Sequence, residues 1–286
     1  MIGGRVLALV ATAAAVGCAG SEDDGPDGRI LLFDGLGVVA ISVDGDGTER
    51  LPLRPDPWGT VAYSRDGKRI AYDGLDGIYV ADADGSNARR IPGQPSVEEF
   101  SSTSPSWSPD SDRILFEQDE ALYTISSDGD DLEYLGRGSS PRWAPDGRIV
   151  FTSGYDPNRV YADIVVMDVD GGHRKVLARG DYADVSPDGR TLAYSGPGGT
   201  DRAANNRAVH VMPLDGGKRR RVTDDGYAPI WSPDGEYLAF TRITECGHAV
   251  CSGRIFVMPV DGGKARPVSE LIGDPGGALA WIKADG

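Results

Sequence analysis

Three histidines, His173, His210 and His248, are the side chains of this 286-residue chain best suited to acid–base or metal chemistry, and their spacing favours neither. No His-x-His or His-Glu-x-x-His pattern occurs, so catalysis would have to gather them from distant segments. His210 sits in an apolar run that lines up with Tyr79, Tyr123, Val165 and Phe256 in related segments, the position of a packed strand residue. His173 follows Asp170-Gly171-Gly172, a turn, where a solvated ring is expected. His248 lies between Cys246 and Cys251, a pair whose proximity reads as a disulfide pinning a small loop. Structural zinc needs four ligands, and the remaining cysteine, Cys18, is far off in the N-terminal segment. Neither a metal nor a cofactor is expected.

The carboxylates are numerous but sit mostly in turns. Asp44-Gly-Asp46 and Asp168-Val-Asp170 lack the glutamate that closes an EF-hand loop, so calcium is not indicated. No Gly-x-Ser-x-Gly elbow is present. The run Lys218-Arg219-Arg220-Arg221 reads as a solvated charge cluster protecting a strand edge or, more sharply, as a contact for an acidic partner. With 29 basic against 44 acidic residues and a net charge of −15, the chain would repel a phosphate backbone, which excludes nucleic acid as a partner.

Chemistry carried by so few scattered residues needs a scaffold to assemble it, and the scaffold is repetitive. Glycine accounts for 40 residues, many of them following aspartate, and Asp-Gly is a strong tight-turn signal. Tyr63-Ser-Arg-Asp-Gly67, Trp107-Ser-Pro-Asp110, Trp143-Ala-Pro-Asp-Gly147, Val185-Ser-Pro-Asp-Gly189 and Trp231-Ser-Pro-Asp-Gly235 each precede an apolar strand, and Trp281 is a degenerate sixth anchor. The anchors are spaced by 44, 36, 42, 46 and 50 residues, which matches the period of a four-stranded propeller blade. A second strand running into Asp-Gly recurs in every unit, at Ile78, Leu122, Ile164, Val209 and Ile255, and its sixth copy, at Val38, lies before the first anchor. The N-terminal part therefore supplies the later strands of a blade whose first strand comes from Ala278 to Lys283. The expectation is an all-β, six-bladed β-propeller with four antiparallel strands per blade, closed by a blade shared between the two termini. Pro sets the turn in each Pro-Asp-Gly, and the anchor tryptophan should pack against the neighbouring blade, with looser packing at Tyr63 and Val185.

Arg5 and the apolar run from Val6 to Val16 form a secretory signal over residues 1–17, too short to span a bilayer. Ala15-Val16-Gly17-Cys18 resembles a bacterial lipobox, which implies lipidation at Cys18; ordinary cleavage near Gly20 is the alternative. Residues 18–28, acidic and without a strand-forming run, read as a lipid-anchored flexible tether, and residues 29–286 as the propeller. The expected location is extracytoplasmic, in the periplasm or at the cell surface, with the membrane reached through the lipid alone and the chain a monomer.

The pattern Trp-Ser-Pro-Asp-Gly, strand, then Ile-x-Val-Met-x-x-Asp-Gly-Gly, nearly complete in Trp231 to Gly263, resembles the PD40 (WD40-like) repeat of TolB-type propellers. The resemblance covers nearly all of the chain after residue 28. It implies the propeller fold and, because such propellers serve binding proteins and enzymes alike, leaves the function open. The α/β domain that precedes the propeller in TolB has no counterpart in the short tether, so a literal Tol-system role is not expected.

In a four-stranded blade the short Pro-Asp-Gly and Asp-Gly-Gly turns emerge on one side of the ring. The variable second turns and crossovers emerge on the other, and long loops on a rigid scaffold are where binding resides. Those loops hold Tyr155, Asp156, Arg159, Tyr161, Arg202, Asn205, Arg207 and Arg242, with Tyr182 and Tyr227 near the channel mouth. Tyr and Arg are the residue types enriched at binding hot spots; tolerated insertions are the plainer reading. The expectation is a noncatalytic propeller that binds a protein or cell-envelope component through this face. The alternative is a lyase or hydrolase acting on a saccharide or small ligand at the channel mouth.

Overall fold

Short apolar runs cut off by Asp-Gly turns leave no room for helices, and every regular element among the described residues is a strand. The computed structural model describes residues 26–33, 37–44, 47–53, 59–95, 104–154, 161–198, 207–246, 251–269, 272–273 and 278–283. The proposed signal, Cys18 and most of the tether lie outside them. The chain opens with β1 (Arg29–Phe33), β2 (Val38–Ser42) and β3 (Thr48–Arg50). A meander follows: β4 (Val61–Tyr63), β5 (Arg69–Gly74), β6 (Gly77–Asp82) and β7 (Arg89–Arg90). The next comprises β8 (Ser106–Trp107), β9 (Arg113–Gln118), β10 (Ala121–Ser126) and β11 (Glu133–Arg137). Then come β12 (Ser139–Trp143), β13 (Ile149–Ser153), β14 (Ala162–Met167), β15 (Lys175–Val185), β16 (Thr191–Pro197), β17 (Arg207–Pro213) and β18 (Arg220–Thr223). The last are β19 (Tyr227–Trp231), β20 (Tyr237–Cys246), β21 (Cys251–Pro259), β22 (Arg266–Pro267), β23 (Ile272–Gly273) and β24 (Ala278–Ile282).

All pairings are antiparallel. β4 to β7 and β8 to β11 form four-stranded sheets, and β24 pairs with β1 to complete a third in the order β24-β1-β2-β3, so residues from both ends of the chain share one sheet. The expected separation into one sheet per repeat does not hold everywhere. β12 to β18 form a single seven-stranded sheet because β15 runs on without a break, pairing with β14 up to Gly180 and with β16 from Asp181 onward. β23 adds itself to β21, giving a five-stranded sheet with β19, β20 and β22. The innermost strands touch one another in a closed circuit, β24 to β4, β8, β12, β15, β19 and back to β24. The sheets are thus arranged as a β-propeller around a central channel.

Each sheet is covered on both faces by its neighbours, so the middle strands are continuous apolar runs rather than alternating ones. Ala71, Ile78 and Val80 of one sheet meet Trp107, Ile114 and Phe116 of the next, and Ala193, Val209 and Val211 meet Trp231, Leu238 and Phe240. Ile30, Leu32 and Val39 close the circuit against Ala239, Ile255 and Val257. The anchor tryptophans 107, 143, 231 and 281 are all buried, whereas Tyr63 and Val185 at the same position are half-buried, as the smaller side chains suggest. Two of the indoles tie successive units together: Trp107 Nε1 donates to Ala62 O at 3.1 Å and Trp231 Nε1 to Asp184 O at 3.3 Å. Outer strands such as β3, β7 and β22 are short and polar, which blunts their open edges. Arg220 and Arg221 occupy the outer strand β18, exposed, as an edge-protecting cluster would.

The turn chemistry is repeated with one substitution. The hydroxyls of Ser64, Ser108, Ser186 and Ser232 donate to the turn aspartates Asp66, Asp110, Asp188 and Asp234 at 2.5 to 2.6 Å. Each also accepts the backbone N–H five residues on, at 2.9 Å. The Ser hydrogen bonds hold the carboxyls of Asp66, Asp110 and Asp188 below the usual range. Where Ala144 replaces Ser, Asp146 pairs instead with Arg148, whose Nη2 lies 2.7 Å away.

Candidate functional site

The crossovers that lead into the innermost strands share a local device. Ser104, Ser140, Tyr182 and Ala228 have φ of 44°, 50°, 49° and 50°. β12, β15 and β19 shift register at this point, as β-bulges do. The fifth residue of a preceding second strand caps the N–H at the kink: Ser104 N donates to Asp73 Oδ2 (3.3 Å), Ser140 N to Glu117 Oε2 (2.8 Å) and Ala228 N to Ser195 Oγ (2.9 Å). The kinks swing the residues beside them toward the mouth of the channel.

Around Tyr182 this assembles a cluster. Asp181 and Tyr182 lie in β15, Arg207 begins β17 and Tyr227 begins β19. The Arg207 guanidinium lies 5.7 Å from the Tyr182 ring centre and 5.8 Å from that of Tyr227, and its Nη1 is 3.2 Å from Asp181 Oδ2. The two tyrosine rings are 6.0 Å apart and tilted by 57°. Tyr182 is 48% exposed while Tyr227 is 9% exposed, so one ring faces solvent and the other packs behind it. Burial pushes the Asp181 carboxyl up to about 6 against the opposing pull of Arg207. Asp181 Oδ1 makes no hydrogen bond among the described residues. The hydroxyl of Tyr161 is raised by burial and feels both Arg207 and Asp181.

Four residues expected at this face from the sequence, Tyr161, Tyr182, Arg207 and Tyr227, are therefore brought together. Arg242 borders them but is spent on packing: its guanidinium lies 4.5 Å from the Phe256 ring centre and 2.9 Å from Asp225 Oδ1. Tyr155, Asp156, Arg159, Arg202, Asn205 and His248 lie outside the described residues. Cys246 and Cys251 are backbone register partners in the β20–β21 pairing. His210 is a packed residue, stacked on Tyr194 at 5.4 Å with Nε2 3.0 Å from Pro197 O. His173 is exposed and bonds to Asp168 Oδ2 through Nδ1 at 2.6 Å.

The sequence reading missed Asp181 and Glu117. Burial, reinforced by Asp73, Glu120 and Asp119, pushes the Glu117 carboxyl up to about 7. A signal was available: Asp73 and Glu117 stand where Thr152, Ser195 and Thr241 stand in three other units.

Behind the mouth, a channel of about 830 Å³ runs from Thr60, Tyr182 and Ala228 to the turn residues Gly67, Pro187 and Pro233. A ring of antiparallel sheets around such a channel, with an aromatic and charged mouth, defines a β-propeller. Among solved structures the chain is similar to TolB from Acinetobacter baumannii (TM-score 0.66, 20% identity, over 88% of this chain and 67% of that one). It is similar to a putative TolB from Agrobacterium tumefaciens (TM-score 0.62, 20% identity, 89% and 92%). An oligogalacturonate lyase from Vibrio parahaemolyticus shares the fold at a TM-score of 0.55 and 12% identity, over 82% and 71%. No protein-family model and no curated protein matches the chain. The fold is TolB-like.

Proposed function

We propose that this chain is a noncatalytic, six-bladed propeller of PD40 repeats that works outside the cytoplasm, anchored through Cys18, and binds a protein or cell-envelope partner at its crossover mouth. The count of six takes β15 as the inner and outer edge of two consecutive blades, so that the seven-stranded sheet holds two of them. The observation that carries the binding reading is the cluster of Arg207 between Tyr182 and Tyr227. Tyr and Arg dominate binding hot spots, and here the guanidinium is already fixed by two rings and a carboxylate, so little ordering is left for the partner to impose. The likeness to TolB structures supports the same choice.

The test is co-purification from envelope extracts. Arg207→Glu repels Asp181 and empties the space between the rings; loss of the partner from this variant, with circular dichroism unchanged, is the expected result. Retention of the partner by folded Arg207→Glu refutes the proposed face. One observation favours a second reading, turnover of a saccharide or small ligand: Asp181, near 6 and with a free oxygen, has the protonation behaviour of a general acid or base. Turnover in a carbohydrate panel that Asp181→Asn abolishes would decide for it.

A further inference from the structure

The far end of the channel carries charge of the opposite sign to the protein as a whole. In the repeated Ser-Pro-Asp-Gly turn the proline position is held by Pro109, Pro145, Pro187 and Pro233, but in the two adjoining units it is held by Arg65 and Lys283. Both line the channel, as does Arg142, which directly precedes the anchor Trp143. Arg142 makes one side-chain hydrogen bond, from Nη1 to the carbonyl of Pro141 at 2.9 Å. Arg65 and Lys283 make none, and none of the three has a carboxylate within 4 Å among the described residues. Most of the five guanidinium donors of Arg142 are therefore unused, and burial works against its charge.

Two carboxylates share the lining. Asp66 is already engaged by Ser64 and Lys68. Asp184 precedes Val185 as Arg142 precedes Trp143; its Oδ2 accepts the Trp231 N–H at 2.9 Å, and it feels both Arg142 and Arg65. Asp184 thus shares the channel lining with both arginines without forming an ion pair with either among the described residues. The five residues from Tyr182 to Pro187 put the cationic end at most about 16 Å along the chain from the crossover mouth.

We propose that the Pro-Asp-Gly end of the channel is a binding site for a small multivalent anion, carboxylate or phosphate in chemistry, held by Arg142 at its base and by Arg65 and Lys283 at its rim. A planar guanidinium with free donors matches carboxylate or phosphate oxygens two at a time. The chain's net charge of −15 discourages larger polyanions, so the site suits an ion that enters the channel whole.

Isothermal titration of the full chain with citrate and, separately, with inorganic pyrophosphate tests the site and distinguishes its two sources of charge. Saturable binding of one or both is expected. Arg142→Gln should weaken it about tenfold or more, because a charged hydrogen-bonding partner is lost. Arg137→Gln, an exposed arginine on β11 outside the channel, should leave binding unchanged. If Arg142→Gln does not fold, the Arg65→Gln/Lys283→Gln variant, which touches no internal hydrogen bond, should show the same loss. No binding of either anion, or binding that survives in the folded variants, overturns the proposal. Neither outcome bears on the crossover mouth, whose partner is lost only with Arg207.

Discussion

Replacing Glu117 by Gln should make the protein more stable in alkaline solution than in acid, relative to wild type. Glu117 caps the Ser140 N–H at a blade junction, a role Gln can keep through its amide oxygen. Its carboxyl lies at about 7 in the folded chain against an ordinary 4.5. A raised acid stabilises the fold fully below the ordinary value and loses that contribution as pH climbs through the folded one, because the unfolded chain then binds fewer protons. At roughly 1.4 kcal/mol per pH unit, and with a discount for the water that still reaches the group, the difference amounts to about 2–3 kcal/mol. Urea unfolding of both proteins near pH 5 and near pH 9 measures it directly, since other titrations cancel between them. The stability of Glu117→Gln minus that of wild type should grow by this amount between the two conditions. A difference independent of pH would refute the reasoning that burial, rather than the hydrogen bond, governs this carboxylate.

Three further outcomes follow from the packing and the turns. Trp231→Ala should cost about 3–5 kcal/mol in chemical unfolding, because a buried ring wedged between two sheets leaves a cavity neither can fill. Gly226→Ala should be destabilised by about 2 kcal/mol or more, since φ there is 150° and a Cβ would stand 2.6 Å from the Phe240 ring; an unchanged melting temperature would contradict the geometry. Ser186→Ala should lose about 1 kcal/mol at neutral pH. Because Asp188 is held below the usual range, that loss should fade as pH falls through its lowered value and the wild-type carboxyl itself protonates.

The turns and strands were legible because their signals are local. Pro-Asp-Gly and the anchor tryptophans announce themselves within a few residues, and the displaced copy at Val38 predicted the pairing of β24 with β1 that the structure displays. Continuity of β15 was not legible, since nothing between Lys175 and Val185 marks a break or its absence, and the kink depends on Tyr182 adopting φ of 49°. Tyr161, Tyr182, Arg207 and Tyr227 could be named from loop position alone, but their convergence on Asp181 is a tertiary fact. Arg65, Arg142 and Asp184 escaped notice for another reason: Arg65 replaces a turn proline while Arg142 and Asp184 occupy the variable position before the anchor, and such residues acquire meaning only once the strands are known to face one channel.

The most direct measurement is photocrosslinking in cells, with a photoreactive phenylalanine analogue placed at Tyr182 or at Lys68. Tyr182 lies at the crossover mouth, and Lys68 follows a Pro-Asp-Gly-type turn on the opposite side. The account predicts a discrete adduct from Tyr182 and none from Lys68. Adducts from Lys68 alone would place the working face on the wrong side of the ring and contradict it.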